Sequence, residues 1–188
     1  MPRRHDPGRR ARIVAAALDV IGAHGVAGLT HRTVAAAADV PLGSTTYHFA
    51  TLDDLLAAAL RELNDQFAAQ VRRSPVVHDP GGDLADQLAA AIGFWLSGEP
   101  TRVELEYEVY LAALRRPALR PVAEEWCAAL TGLLRARTDP VTARALAALT
   151  DGICLQVLLT GARYDEAYAR EMLARLLPRT GGDGRAGP

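Results

Sequence analysis

Thr30-His31-Arg32-Thr33-Val34-Ala35, then Asp39-Val40-Pro41-Leu42-Gly43-Ser44-Thr45-Thr46-Tyr47-His48-Phe49, is the stretch on which the reading of the fold turns. Thr30 is a strong helix-capping residue, and Leu29 before it and Val34 after it are placed to form a hydrophobic staple across the cap. This predicts a short helix to about Ala38. Asp39-Val40-Pro41 then makes a turn, because aspartate tolerates a left-handed backbone and Pro41 can open a helix at its first position. A second short helix, near Leu42 to His48, follows. Two short helices joined by a three- or four-residue turn, with small Ala35 and Ala38 where they cross, describe a helix-turn-helix. Short alanine-rich helices also occur in ordinary bundles, so topology alone leaves that alternative open.

Working outward, Ile13, Ala17, Val20 and Ile21 repeat at helical spacing and Gly25 supplies a stop, which predicts a helix from Arg9 to His24. On the other side, Thr51-Leu52-Asp53-Asp54 is a capping-box pattern heading a long helix to about Val71. Arg72 to Gly82 reads as a loop. Further helices are expected over Asp83 to Leu96, Thr101 to Arg116, Leu119 to Arg137, Asp139 to Gly161 and Asp165 to Leu177, with Pro100, Pro117 and Pro121 at joints. The expected fold class is all-α: a three-helix head over residues 1–50, a body of about six helices over 51–178, and a glycine-rich disordered tail over 179–188.

Composition narrows the function. The basic residues are all arginine, and residues 1–50 carry Arg3, Arg4, Arg9, Arg10, Arg12 and Arg32 against Asp6, Asp19 and Asp39, so the head is positive while the whole chain is at -1. Such asymmetry suggests that a polyanion meets the head and something else occupies the rest. No run approaches the ~20 uninterrupted apolar residues of a membrane span, and no signal peptide is evident, so a cytoplasmic protein is expected. Cys127 and Cys154 lie far apart in segments that read as buried helix, which suits neither a metal site nor a disulfide framework. Glycine-rich phosphate loops, metal-ligand clusters and nucleophile elbows are all missing, so no enzyme, cofactor or metal is expected.

The exposed face of the third helix should carry Leu42, Gly43, Ser44, Thr46, Tyr47 and His48, with Thr45 pointing inward. Small and hydrogen-bonding groups let a helix approach base edges, while tyrosine and histidine reach the phosphates. The stretch quoted above resembles the signature of the TetR family of transcriptional regulators over about residues 9–60, most specifically at Gly43 to Phe49. The resemblance implies a repressor that binds a palindromic double-stranded operator as a homodimer and is released by a small-molecule inducer. It places Arg32 at a base or phosphate, Thr30 and His31 at phosphates, Leu42, Gly43, Ser44 and Thr46 at bases, and Tyr47 and His48 on the DNA backbone. Four positions depart from the family pattern: Asp39 replaces a usual glycine, Pro41 a serine, Thr46 a tyrosine, and Leu52 a phosphate-binding lysine. The segment Arg3 to Arg12 is either an arm that compensates in the neighbouring groove or a solvated tail.

In the body, Glu104, Tyr107, Glu108 and Leu111 share one helix face, and Trp95 and Trp126 are placed to close over it. Carboxylates beside aromatic rings suit a cationic or hydrogen-bonding aromatic ligand. The helix from Asp139 is apolar on two faces. One stripe holds Leu149 and Ile153 and another Gly152, Leu155 and Leu159; with Leu173 and Leu176 of the last helix these form a candidate dimer interface. Two alternatives stay open: a helical ligand-binding protein whose head no longer binds DNA, and a thiol sensor acting through Cys127 or Cys154.

Overall fold

The structure, a computed structural model, describes residues 8–98 and 100–178. The expected arm before Gly8 and the expected tail over 179–188 therefore lie outside the described residues. Ten α-helices and three short 3-10 turns make up the described chain, and no strand occurs among the described residues. The described chain divides into two compact units, residues 8–70 with 98 and 100–128, and residues 71–97 with 129–178.

The first unit contains α1 (Arg9–His24), a 3-10 turn (Val26–Gly28), α2 (His31–Ala37), α3 (Leu42–His48), α4 (Leu52–Val71) and α7 (Pro100–Leu111). It closes with the first turns of α8 (Arg120–Leu134). Local chemistry sets most of its boundaries. Thr30 Oγ1 accepts from Thr33 N at 3.0 Å while Thr33 Oγ1 accepts from Thr30 N at 2.9 Å, a reciprocal cap that satisfies two backbone donors. Thr51 and Asp54 repeat the device at α4, at 3.0 and 2.9 Å. The staple residues Leu29 and Val34 are both buried. Asp39 sits at φ 50°, just past the end of α2, where Val40 N donates to Ala35 O at 3.0 Å in a Schellman-like closure. Pro41 stands one place earlier than expected, capping α3 from outside at φ -57°, so its fixed φ ends the turn rather than opening the helix.

One apolar cluster runs through this unit. Ile13, Ala17 and Ile21 of α1 and Val34 of α2 meet Leu55, Leu56, Leu60 and Leu63 of α4, together with Val109, Leu119 and Val122. The three-helix head and α7 thus share one core.

The second unit contains α5 (Pro75–His78), α6 (Leu84–Leu96), the end of α8, α9 (Pro140–Thr160) and α10 (Glu166–Ala174). The helix α5 falls inside the segment expected to be a loop. Its cause is remote in sequence: Arg137 donates to Val76 O at 2.9 Å, Gln87 Oε1 at 2.9 Å and Gly82 O at 2.8 Å, holding the whole stretch against α6. Tyr164 Oη donates to Ala89 O at 2.7 Å, and its ring lies where a Cβ on Gly93 would stand, 2.9 Å away, so glycine there permits the close approach. Asp139 caps α9 by accepting from Val141 and Thr142 N at 2.9 and 3.1 Å, with Pro140 in the first turn.

Burial on α9 follows one stripe, Ala143, Leu146, Ala147 and Cys154. The opposite stripe, Ala148, Gly152, Leu155 and Leu159, is partly or wholly exposed, Leu159 at 75%. By length and mean hydropathy α9 could cross a membrane, but Arg144 and Asp151 interrupt it, so it is not an uninterrupted apolar run.

Candidate functional site

The outward side of α3 is the first candidate. Thr45 is fully enclosed and donates to Leu42 O at 2.8 Å, and Phe49 is buried just beyond the helix end. These two anchors orient the remaining residues. Leu42, Gly43, Thr46 and Tyr47 are exposed, while Ser44 and His48 are half-buried. Tyr47 stands out at 84% exposure, with its ring edge-on to His48 at 5.2 Å between centroids. Thr46 Oγ1 donates to Gly43 O at 3.4 Å.

On α2 the side chain of Arg32 is exposed, whereas His31 is half-buried with its Nδ1 enclosed. The Thr30 hydroxyl is occupied by its capping role. From α1, the Arg10 guanidinium lies 5.0 Å above the Phe49 ring, a cation-π contact that leaves positive charge beside the end of α3. Leu52, where the family pattern has lysine, is half-buried in the first turn of α4.

The second candidate lies on α7 and is arranged differently from the sequence expectation. Of its three glutamates, Glu104 and Glu108 are exposed and Glu106 is buried, 3% accessible. Val103, Tyr107, Val109 and Ala113 are buried with it, so the inward face is the one opened by Val103. Glu108 instead accepts a hydrogen bond from Val26 N at 2.6 Å, capping the 3-10 turn that follows α1. Its role there is structural, tying α7 to the head. A second tie runs from Arg116 Nη1 to Asp53 Oδ1, at 2.6 Å, at the start of α4.

The first unit also holds a cluster of aromatic rings. Phe67 of α4 stacks on Trp126 of α8 at 4.4 Å between centroids and 30° between planes. Tyr110 lies 6.1 Å from Trp126, and Tyr107 packs edge-on to Tyr110 at 6.4 Å. Arg102 Nε donates to Glu106 Oε1 at 3.2 Å, and Arg102 Nη2 donates to Gln66 Oε1 at 3.2 Å, one residue from Phe67. Tyr107 and Trp126 from the expected set are therefore in this cluster, Leu111 is half-buried beyond it, and Trp95 belongs to α6 in the second unit. Periodicity held the missing signal, since Val103, Glu106, Tyr107 and Tyr110 follow 3, 4, 7 spacing just as Glu104, Tyr107, Glu108 and Leu111 do.

Cys127, expected to be buried, is exposed, with its Sγ 3.0 Å from Tyr110 Oη. Cys154 is buried. In the second unit an open cleft of about 610 Å³ lies between α6 and α10, lined by Asp83, Asp86, Asp165, Tyr168, Arg170 and Glu171 among others. None of the ligand residues expected from the sequence lines it. Of the expected interface residues, Leu149, Gly152, Ile153 and Leu155 are half-buried, Leu159 and Leu176 are exposed, and Leu173 is fully enclosed within its own unit. Leu173 drops out of any surface because α10 packs along α6.

A head whose last helix turns its polar side chains to solvent, carried on an all-helical body, defines a helix-turn-helix regulator of transcription. The family described as bacterial regulatory proteins, tetR family, matches residues 13–59, and the tetracyclin repressor-like C-terminal domain matches residues 79–179. The chain belongs to the TetR family of transcriptional regulators. It is 30% identical over 182 residues to the HTH-type transcriptional regulator BetI of Burkholderia mallei, covering 87% of this chain and 89% of that protein. Among solved structures it is similar to the multidrug binding protein EbrR complexed with ethidium, at 66% identity, TM-score 0.86, and 90% and 99% coverage of the two chains. A TetR-family member from Streptomyces coelicolor A3 matches at 66% identity, TM-score 0.84, and 92% and 99% coverage. These relatives are regulators or ligand-binding proteins by name, and none of the three is named as an enzyme.

Proposed function

We propose that the chain is a ligand-responsive repressor that binds a palindromic operator as a homodimer in the cytoplasm and is released by a flat aromatic cation. The exposed row on α3 carries the DNA reading, because Thr45 and Phe49 commit the other side of that helix to the core and leave Leu42, Gly43, Ser44, Thr46, Tyr47 and His48 outward. Arg32 supplies the charged contact, and Thr30 and His31 add phosphate contacts at the start of α2. Two heads about 34 to 36 Å apart read successive major grooves. The dimer forms on the outer stripe of α9, at Gly152, Leu155 and Leu159, with Leu149, Ile153 and Leu176 at its edges. A long apolar stripe left uncovered by its own chain supports that reading.

The inducer class rests on the enclosed carboxylate of Glu106 in a unit that also carries the ring cluster of Phe67, Trp126, Tyr107 and Tyr110. A buried anion needs a compensating cation, and stacked rings favour a planar one. That ethidium and proflavin are ligands of the EbrR relatives supports the same class.

The test is a fluorescence anisotropy titration on palindromic DNA taken from beside the coding sequence, at several salt concentrations, with and without ethidium. Operator binding that weakens steeply with salt and is released by ethidium is the expected result. Absence of salt-dependent, palindrome-specific binding at every salt would favour a ligand-binding protein with a silent head. Thiol sensing is a second reading, favoured by the exposed Cys127 beside Tyr110. It predicts oxidant-driven DNA release that Cys127→Ser removes.

A further inference from the structure

We infer that Arg10 is a DNA-phosphate contact of the reading head, fixed beside the end of α3 by the ring of Phe49. The inference rests on the operator-binding reading proposed above and concerns a side chain that lies on neither α2 nor α3. Arg10 is the second residue of α1 and is exposed, with its guanidinium carbon 5.0 Å from the centroid of the Phe49 ring. Phe49 is itself only 3% accessible and directly follows α3, its N donating to Thr45 O at 2.9 Å. The ring is thus a platform set by the core. Next to it in the chain stand His48 and Tyr47, the edge-on pair expected on the DNA backbone.

A cation-π contact uses the charge of a guanidinium over the ring and leaves its five N–H donors for other partners. Among the described residues, no hydrogen bond or ion pair takes up those of Arg10. The carboxylates that open α4 are committed elsewhere, Asp53 to Arg116 at 2.6 Å and Asp54 to Thr51 N at 2.9 Å. Arg10 is therefore a cation whose position is held while its donors stay open. Much of the rotamer freedom that a long side chain loses on binding is already lost to the ring before DNA arrives. A phosphate can accept from the planar group along its edge without breaking the ring contact, because stacking and hydrogen bonding use different directions. Reaching DNA from a different helix, Arg10 flanks the α3 row, so it meets the groove wall and carries no base information.

The experiment measures binding of full-length wild type, Arg10→Met, Arg10→Gln, Arg10→Lys and Arg61→Met to palindromic operator and to nonspecific DNA across a salt series. Arg61 is the control, an exposed arginine of α4 in the same unit, 3.8 Å from Glu125. Arg10→Met keeps a stem over Phe49 and removes the charge. It should weaken both DNAs by about tenfold and flatten the slope of log affinity against log salt by about 2, one phosphate from each of two heads. Arg10→Gln, also neutral, must flatten the slope equally, so a folding defect in one variant leaves the other to decide. Arg10→Lys and Arg61→Met should both hold the wild-type slope. An unchanged slope in the two neutral variants, whatever their affinity, makes Arg10 a packing residue and overturns the contact, while operator binding by the wild type stands. Equal flattening in Arg10→Lys or Arg61→Met, or a neutral variant that loses operator binding but not nonspecific binding, overturns it as well. Wild type without salt-dependent operator binding overturns the repressor reading and the inference with it.

Discussion

The helices α3 and α7 are both short and both carry polar side chains, yet they dispose of them in opposite ways. On α3 the single buried polar group, Thr45, is bonded within its own turn, and the groups proposed to work point away from the chain. On α7 two of the three glutamates are bonded to the chain itself: Glu106 to Arg102, Glu108 to Val26. A surface meant for a polyanion must be open before its partner arrives. A buried carboxylate, such as the one proposed to receive a cation, must be compensated before any partner arrives. The comparison teaches that an unoccupied binding face and an occupied one leave different marks on a fold.

The sharpest way to break the comparison is the double substitution Arg32→Ala with Tyr47→Ala. Both side chains are exposed, so thermal stability should hold while operator affinity falls at least about a hundredfold, or about 3 kcal/mol, by anisotropy. Loss of melting temperature instead would show that α3 serves the core.

The next effect concerns an acid held inside. Asp151 on α9 has its pKa pushed up by burial to about 6 from 3.8. The folded form therefore favours the protonated acid. That stability is fully present below about pH 4 and is lost as pH rises through 6. Asp151→Asn should raise stability at pH 7 by about 2 kcal/mol, and its advantage over wild type should vanish in acid. Chemical denaturation from pH 4 to pH 8 reads it, and an advantage independent of pH would count against a desolvated carboxylate.

Smaller in size is the tie between α7 and the head. Glu108→Ala leaves Val26 N without its acceptor at an exposed turn and should lower stability by about 1 kcal/mol, with Glu108→Gln recovering most of it. Hydrogen exchange at the Val26 amide is the direct measurement. The smallest effect is a gain. Asp39 holds a left-handed φ of 50°, and Asp39→Gly should add about 0.5 kcal/mol to the melting free energy without changing operator affinity.

Much of the head could be read directly from residue order. The stop at Gly25, the cap at Thr30, the left-handed turn at Asp39 and the box from Thr51 to Asp54 are all set by bonds spanning a few residues. The body was less legible because its decisive contacts are long-range. Glutamates at 104, 106 and 108 look alike in the sequence, and only packing against α4 and α8 distinguishes the buried one. The helix α5 depends on Arg137, 61 residues from Val76. The outward turn of Cys127 likewise follows from which side of α8 its neighbours cover.

The bond from Glu108 to Val26 spans 82 residues of sequence and only 2.6 Å of space. A DNA-reading head cut from this chain and grafted onto a foreign body would arrive with the donor and without the acceptor. The transferable part is the head together with α7, so a chimera designed to change the operator must exchange both or restore a carboxylate opposite Val26.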